Sequence, residues 1–109
     1  MEKKNYREMS EEELDAWKEK LDEHGWGEEP TEAHRRALHA LQNPIRREIL
    51  ELLREKALTL GEVVNHLNMD EKTLRFHLQF LKDTFFIKLE GNVIDLTPLG
   101  VAYTRHAMR

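Results

Sequence analysis

Residues 59–81 read TLGEVVNHLNMDEKTLRFHLQFL, and this segment contains two amphipathic helix patterns separated by a tight turn. Apolar residues at intervals of three and four mark the first helix: Leu60, Val63, Val64 and Leu67. The inward face of the second helix is marked in the same way by Leu74, His77, Leu78 and Leu81. Between them, Asn68 tolerates the left-handed backbone of a turn, and Asp70 is a favoured helix N-cap. Two short helices joined in this way predict a helix-turn-helix.

A short β-hairpin is predicted directly after this unit. Residues 85–89 and 93–96 have the composition of strands, and the EGN sequence at residues 90–92 is a hairpin turn signal. A capping residue followed by proline begins a helix at residues 43–44, before the unit, and at residues 97–98, after the hairpin. We therefore predict an α+β fold, mostly α: a winged helix-turn-helix with a short two-stranded wing and an extra N-terminal helix.

Charge is distributed unevenly along the chain. Residues 1–33 carry 5 Lys and Arg against 12 Asp and Glu, a net charge of −7, whereas the remaining residues carry 12 against 9, a net charge of +3. We divide the chain into an acidic N-terminal helical arm, residues 1–30, and a winged helix-turn-helix domain, residues 31–109. The arm helix begins with a capping box at Ser10 and has only a thin apolar stripe.

Such a thin stripe packs either on the rest of the domain or on a second copy of the chain. We predict a homodimer because one narrow stripe is difficult to justify on so small a monomer. The candidates for the dimer surface are this stripe and two residues of the last helix: Leu14, Trp17, Leu21, Tyr103 and Met108.

The composition excludes several classes of function. The 109 residues include no cysteine, so the chain forms no disulfide and no thiolate metal site. His34 and His39 lie five residues apart, off the spacing that places two ligands on one helix face, and we predict no metal and no cofactor. Without a nucleophile elbow, a phosphate-binding glycine loop or an apolar carboxylate pair, we expect no enzyme. The longest apolar runs are far below the roughly 20 residues of a membrane span, and we expect a cytoplasmic protein.

Three segments resemble one family of regulators. Residues 43–53, NPIRREILELL, resemble the first core helix of the arsenic-repressor-like (ArsR-like) winged-helix transcription regulators. Residues 73–81, TLRFHLQFL, resemble the recognition helix of that family, and residues 95–100, DLTPLG, resemble its strand end and following helix. The resemblance covers about residues 33–105. It implies a homodimer that binds operator DNA with its recognition helices in successive major grooves.

The outward face of the predicted recognition helix supplies the candidate DNA contacts. Arg75 has the planar fork that pairs with guanine, Gln79 is suited to adenine, and Lys72 is suited to phosphate. Phe76 is a candidate for contact with a thymine methyl group, and Thr73 is a further candidate on the same helix. Outside this helix, the candidates for phosphate contact are Thr59 and Lys88.

Two departures from the family weaken this reading and leave an alternative open. The residues TFFI at 84–87 fill the stretch where the family usually has a glycine, so the recognition helix must end without one. The wing offers Lys88 against Glu90 and Asp95, a poor grip on phosphate. The alternative is a winged-helix protein-interaction module that does not bind DNA, which the net charge of −4 favours. A third reading is that the acidic arm folds over the basic face and inhibits it. The operator, the effector and the direction of regulation have no signature in the sequence.

Overall fold

A computed structural model describes residues 6–20 and 30–106 of the chain. A 3-10 turn, Tyr6–Glu8, precedes the first helix. The helices are α1 (Glu11–Lys20), α2 (Pro30–Ala40), α3 (Pro44–Leu52), α4 (Leu60–Leu67), α5 (Glu71–Asp83) and α6 (Pro98–His106). The strands are β1 (Leu58–Thr59), β2 (Ile87–Glu90) and β3 (Val93–Leu96). The described part is thus mostly helical with a small sheet, which confirms the predicted fold class.

The predicted wing is the antiparallel pair β2–β3, in which Ile87 lies opposite Leu96 and Glu90 opposite Val93. A third strand, β1, pairs with the other edge of β3, so the sheet order is β1-β3-β2. Sequence reasoning did not find β1 because two residues have no periodicity of their own. The first wing strand also begins two residues later than predicted, since residues 85 and 86 complete the end of α5.

The predicted helix-turn-helix is present as α4, a tight turn and α5. Thr59 caps α4 in a reciprocal capping box: its hydroxyl accepts from the amide of Glu62, whose side chain accepts from the amide of Thr59. Asn68 ends α4 with a φ of 50°, the left-handed conformation expected from the sequence. Asp70 caps α5 by accepting from the amide of Thr73. Local side-chain chemistry therefore sets both ends of the turn.

Helix α5 ends without glycine, as the sequence requires. Phe85 takes the left-handed conformation instead, with a φ of 68°. The hydroxyl of Thr97 donates to the carbonyl of Phe85, and the amide of Thr97 donates to the carbonyl of Phe86. Phe86 is 2% exposed and packs edge-on against Tyr103 of α6. The start of α6 and the burial of Phe86 therefore hold a backbone conformation that is unfavourable for a non-glycine residue.

The described part of the N-terminal arm packs into the same core as the helix-turn-helix. Leu14 is 2% exposed and Met9 is 8% exposed, both within the main apolar cluster. Helix α1 packs against α6, and Arg105 of α6 donates to the carbonyls of Arg7 and Met9. Leu14, a sequence candidate for the dimer surface, is therefore a core residue of its own protomer.

The other candidates for the dimer surface differ in exposure. Trp17 and Tyr103 are half-buried and pack partly against the core. Leu21 and Met108 lie outside the described residues. None of the described helices is both long and apolar enough to cross a membrane.

Candidate nucleic-acid interface

Helix α5 presents a polar face because its opposite face is anchored in the core. Leu74 and Leu81 are fully buried, and Leu78 is 2% exposed. The five candidate residues of this helix are all exposed on the side away from the core: Lys72, Thr73, Arg75, Phe76 and Gln79. The structure therefore brings together on one surface every candidate that the sequence placed on α5.

The two candidate base-reading residues are each bonded to a carboxylate one turn away on α5. Arg75 Nε lies 3.1 Å from Glu71 Oε2, and both side chains are 60% exposed. Gln79 Nε2 donates to Asp83 Oδ1 over 2.8 Å. Exposed pairs of this kind contribute only about 0.3–0.5 kcal/mol, so a base edge can replace either carboxylate at low cost.

The other polar candidates on α5 have different environments. Within the described part of the chain, Lys72 forms no ion pair and is exposed to solvent. The amide and the hydroxyl of Thr73 both donate to Asp70, over 3.0 and 2.8 Å. These two bonds lower the pKa of the Asp70 carboxyl, because they stabilise its charged form. Lys72 is thus available as a cation, whereas Thr73 serves the helix cap.

Phe76 is unusual among the exposed residues of α5. Its side chain is 63% exposed and meets the ring of His77 edge-on, with the ring centroids 5.5 Å apart. An aromatic ring left in solvent on a polar helix face costs hydration free energy that burial against a partner recovers. Leu38 of α2 and Val93 of β3 are also large apolar side chains that are exposed among the described residues.

A cleft of about 210 Å³ separates α5 from the wing. Its floor consists of apolar side chains from α4, α5 and the sheet, and Arg75 and Gln79 stand at its edge. The tip of the wing, Gly91 and Asn92, forms the other side of the cleft. The two candidate base-reading residues therefore lie where the helix and the wing converge.

Lys88 and Thr59, the candidates outside α5, already have partners within the protein. Lys88 Nζ lies 3.4 Å from Glu90 Oε1 and 4.9 Å from the centroid of the Tyr6 ring. Asp95, opposite Lys88 in the sheet, is paired with Arg7. Thr59 is engaged in its capping box. Of the three candidates for phosphate contact, Lys72 on α5 is therefore the one whose side chain has no partner among the described residues.

A buried Arg46–His77 pair lies beneath α5. Arg46 Nε donates to His77 Nδ1 over 3.3 Å, and both residues are 7% exposed. The guanidinium carbon of Arg46 lies 3.9 Å from the centroid of the Phe80 ring. The sequence correctly placed His77 on the inner stripe as a hydrogen-bonded core residue. It missed Arg46, although this residue precedes buried Ile49 and Leu50 by one helical turn on α3 and shares their face.

Burial lowers the pKa of His77, and the nearby positive charge of Arg46 lowers it further. Burial lowers the pKa of Arg46 as well, and its guanidinium remains charged. A neutral imidazole is required here, because Nδ1 must accept the hydrogen bond from Arg46. The hydrogen bond from Arg46 of α3 to His77 of α5 therefore forms only while His77 is unprotonated.

This pair predicts a loss of stability in acid. The unfolded chain protonates His77 near its ordinary pKa of about 6.5, whereas the folded chain protonates it only at lower pH. The free energy of unfolding should therefore be unaffected by this group above that pH and should fall as the pH drops below it. Urea denaturation at pH 7.5, 6.0 and 5.0 measures the effect, with His77→Gln as the matched control. A variant that loses as much stability in acid as the wild type would contradict the prediction.

No group of three or more His, Asp or Glu side chains suited to a metal ion occurs among the described residues. His66 and His39 lie on different helices, and His24 lies outside residues 6–20 and 30–106. The sequence expectation of no metal concerned the whole chain and stays a prediction.

The fold and the anchored polar helix define a winged helix-turn-helix of the kind that DNA-binding transcription regulators use. Residues 43–84 match the model of the arsR family of bacterial regulatory proteins, so the predicted resemblance is confirmed for this segment. The match begins one residue before α3 and ends one residue after α5, so it includes both helices of the helix-turn-helix.

Solved structures share the winged-helix fold of this chain. An ArsR family transcriptional regulator superimposes with a TM-score of 0.57 at 24% identity, over 72% of this chain and 87% of that one. HlyU from Vibrio cholerae N16961 superimposes with a TM-score of 0.58 at 21% identity, over 75% of this chain and 99% of HlyU. No curated protein matches the chain in sequence. At identities this low, the superpositions establish the shared winged-helix fold and nothing beyond it.

Proposed function

We propose that the protein is a sequence-specific DNA-binding transcriptional regulator that acts as a homodimer with α5 in the major groove. The observation that carries the proposal is the outward face of α5, where Lys72, Arg75 and Gln79 stand exposed around Phe76 on a helix anchored from below. An α-helix fits the major groove, and these side chains have the donors and acceptors that phosphates, guanine and adenine require. A regulator of this kind works in the cytoplasm, where bacterial DNA lies.

Substitution of Arg75 and Lys72 tests the proposal because the loss of each side chain should change DNA binding in a different way. The probe is a genomic fragment selected for binding by the full chain. Arg75→Ala should weaken the binding of that fragment by about 1–3 kcal/mol and relax the base preference at one position. Lys72→Ala should weaken the binding of all DNA sequences alike. It should also reduce the slope of log affinity against log salt concentration by about one.

Arg35→Ala is the matched control, since Arg35 is 71% exposed on α2 and also pairs with a carboxylate of its own helix. It should leave the binding of the fragment unchanged. If Arg75→Ala and Lys72→Ala both bind DNA like the wild type, α5 does not read DNA.

The homodimer is supported by two half-exposed aromatic residues on adjoining helices. Trp17 lies on α1 and Tyr103 on α6, and these helices pack against each other. A two-fold dimer through this layer would present two copies of α5 to half-sites about one helical turn apart. Leu21 and Met108 extend the same proposal to positions outside the described residues.

Sedimentation equilibrium at tens of micromolar protein should give twice the chain mass of 13.0 kDa. Trp17→Ala should shift the equilibrium toward monomer, because it removes the largest partly exposed side chain of α1. A separate melting curve of the variant reports the part of Trp17 that packs on its own core. A wild-type species of 13.0 kDa at these concentrations would contradict the dimer.

A protein-interaction module is the second candidate function, and the exposure of Phe76 favours it. Aromatic residues are common at the centres of protein interfaces. If the protein is such a module, Phe76→Ala abolishes binding to its protein partner. DNA binding is then absent from the wild type as well as from Arg75→Ala and Lys72→Ala.

A further inference from the structure

A second charged pocket lies on the side of the domain where the N-terminal turn meets α6. Its volume is about 220 Å³, and it is lined by Arg7, Arg54, Val101, Thr104 and Arg105. Three of these five residues are arginines, and none is acidic. The arginines come from the N-terminal turn, the loop after α3 and the last turn of α6, so only the tertiary fold brings them together.

The fold holds Arg7 and Arg105 rigidly at this pocket. Arg7 Nη2 donates to the carbonyl of Leu53 over 2.6 Å, and the same guanidinium pairs with Asp95 of β3. Arg105 donates to the carbonyls of Arg7 and Met9 over 3.1 and 3.0 Å. Side-chain exposure is only 17% for Arg7 and 24% for Arg105. Little rotamer entropy therefore remains to be lost when a ligand meets these two groups.

Arg54 is the adaptable member of the cluster. Its side chain is 42% exposed, and its Nη1 lies 3.1 Å from Glu51. The other N–H groups of its guanidinium have no partner among the described residues. The carboxylates paired with the arginines, Asp95, Glu11 and Glu51, are not part of the pocket lining. The described residues that line the cavity therefore include three guanidinium groups and no carboxylate.

From this arrangement we infer that the pocket binds a phosphate group, either free phosphate or the phosphate of a small molecule. A planar guanidinium offers paired N–H donors that match the oxygens of phosphate. The volume is below the roughly 300–1,000 Å³ of pockets that enclose drug-sized ligands. It suits the phosphate itself, with the rest of an organic ligand outside.

The pocket is connected to the wing through Arg7. The guanidinium that lines the pocket also holds Asp95, and Asp95 lies opposite Lys88 in the β2–β3 pair. The Arg7 guanidinium therefore contacts both the pocket and the β2–β3 wing. The inference does not depend on DNA binding, and its test uses no DNA.

Two-dimensional amide NMR of the full chain tests the inference with inorganic phosphate as the probe. Titration at constant ionic strength, with chloride as the balancing anion, should give saturable shifts at Val101, Thr104 and Arg105. Arg54→Gln should weaken the affinity about tenfold or more, since a hydrogen bond to a charged group contributes about 1.5–3 kcal/mol. Arg35→Gln is the matched control and should bind phosphate like the wild type.

Two further measurements distinguish the possible phosphate ligands and control for misfolding of the variants. O-phosphoserine that binds more tightly than inorganic phosphate identifies an organic phosphate as the ligand, and equal or weaker binding identifies free phosphate. Arg54→Lys keeps the charge but loses the planar fork, so it should also bind phosphate more weakly while its spectrum stays that of a folded protein. Shifts equal to those of chloride, or unchanged affinity in Arg54→Gln and Arg54→Lys, would overturn the inference.

Discussion

Replacement of Leu14 by alanine should lower the free energy of unfolding by about 2–5 kcal/mol, the usual range for a buried leucine. Leu14 is 2% exposed in the core, where α1 packs against α6, so its truncation leaves a cavity in the domain. Urea denaturation followed by circular dichroism measures the effect. The midpoint is compared at two protein concentrations, because a role confined to the dimer surface would make the loss depend on concentration.

Asp15→Ala is the control for this experiment, since Asp15 is the exposed neighbour of Leu14 on α1. It should change the free energy of unfolding by no more than about 0.5 kcal/mol. If Leu14→Ala is equally mild, α1 is an independent arm and not part of the core.

The packing of α1 in the core means that deletion of residues 1–30 would remove core contacts together with the acidic charge. Autoinhibition by the arm is therefore tested better by substitutions of its exposed acidic residues.

Gly100→Ala should destabilise the protein by about 1–3 kcal/mol, although alanine is the better helix former. A Cβ at this position would lie 2.3 Å from the carbonyl oxygen of Phe86 and 3.0 Å from the side chain of Leu96. The clash is with backbone, so α6 must move away from the segment that ends α5. That movement also disturbs the hydrogen bonds by which Thr97 holds Phe85 and Phe86.

Gly61→Ala is the matched control because Gly61 also lies in a helix, and a Cβ there meets nothing within 4 Å. It should raise the free energy of unfolding by about 0.5–1 kcal/mol through helix propensity alone. The two substitutions are chemically identical, so opposite signs isolate the effect of close packing at α6. Stabilisation by both would contradict the close approach of α6 to Phe86.

The local features of the DNA-reading unit were predictable because each depends on neighbours in the sequence. The spacing of Leu74, Leu78 and Leu81 determines which face of α5 is buried, and hence that Arg75 and Gln79 point outward. The capping residues define the helix boundaries by hydrogen bonds to amides two or three positions away.

The partners of the candidate residues were not predictable to the same degree. The carboxylates that hold Arg75 and Gln79 lie four residues away on the same helix and were within reach of sequence reasoning. The contact of Lys88 with Tyr6 joins residues 82 positions apart, and no periodicity reports it. The left-handed conformation of Phe85 was likewise not predicted, because the hydrogen bond that its carbonyl accepts comes from Thr97, which is 12 residues away.

The amino-acid sequence by itself determined the helices, the turn between α4 and α5, the hairpin, and the polar face of the recognition helix. Periodicity and capping are interactions within one or two helical turns, so they are contained in the order of residues. Only the tertiary structure decided that α1 belongs to the core, that Arg46 supports His77, and that Arg7, Arg54 and Arg105 surround one pocket. These features join segments 31 to 98 residues apart, and their geometry depends on how the helices pack.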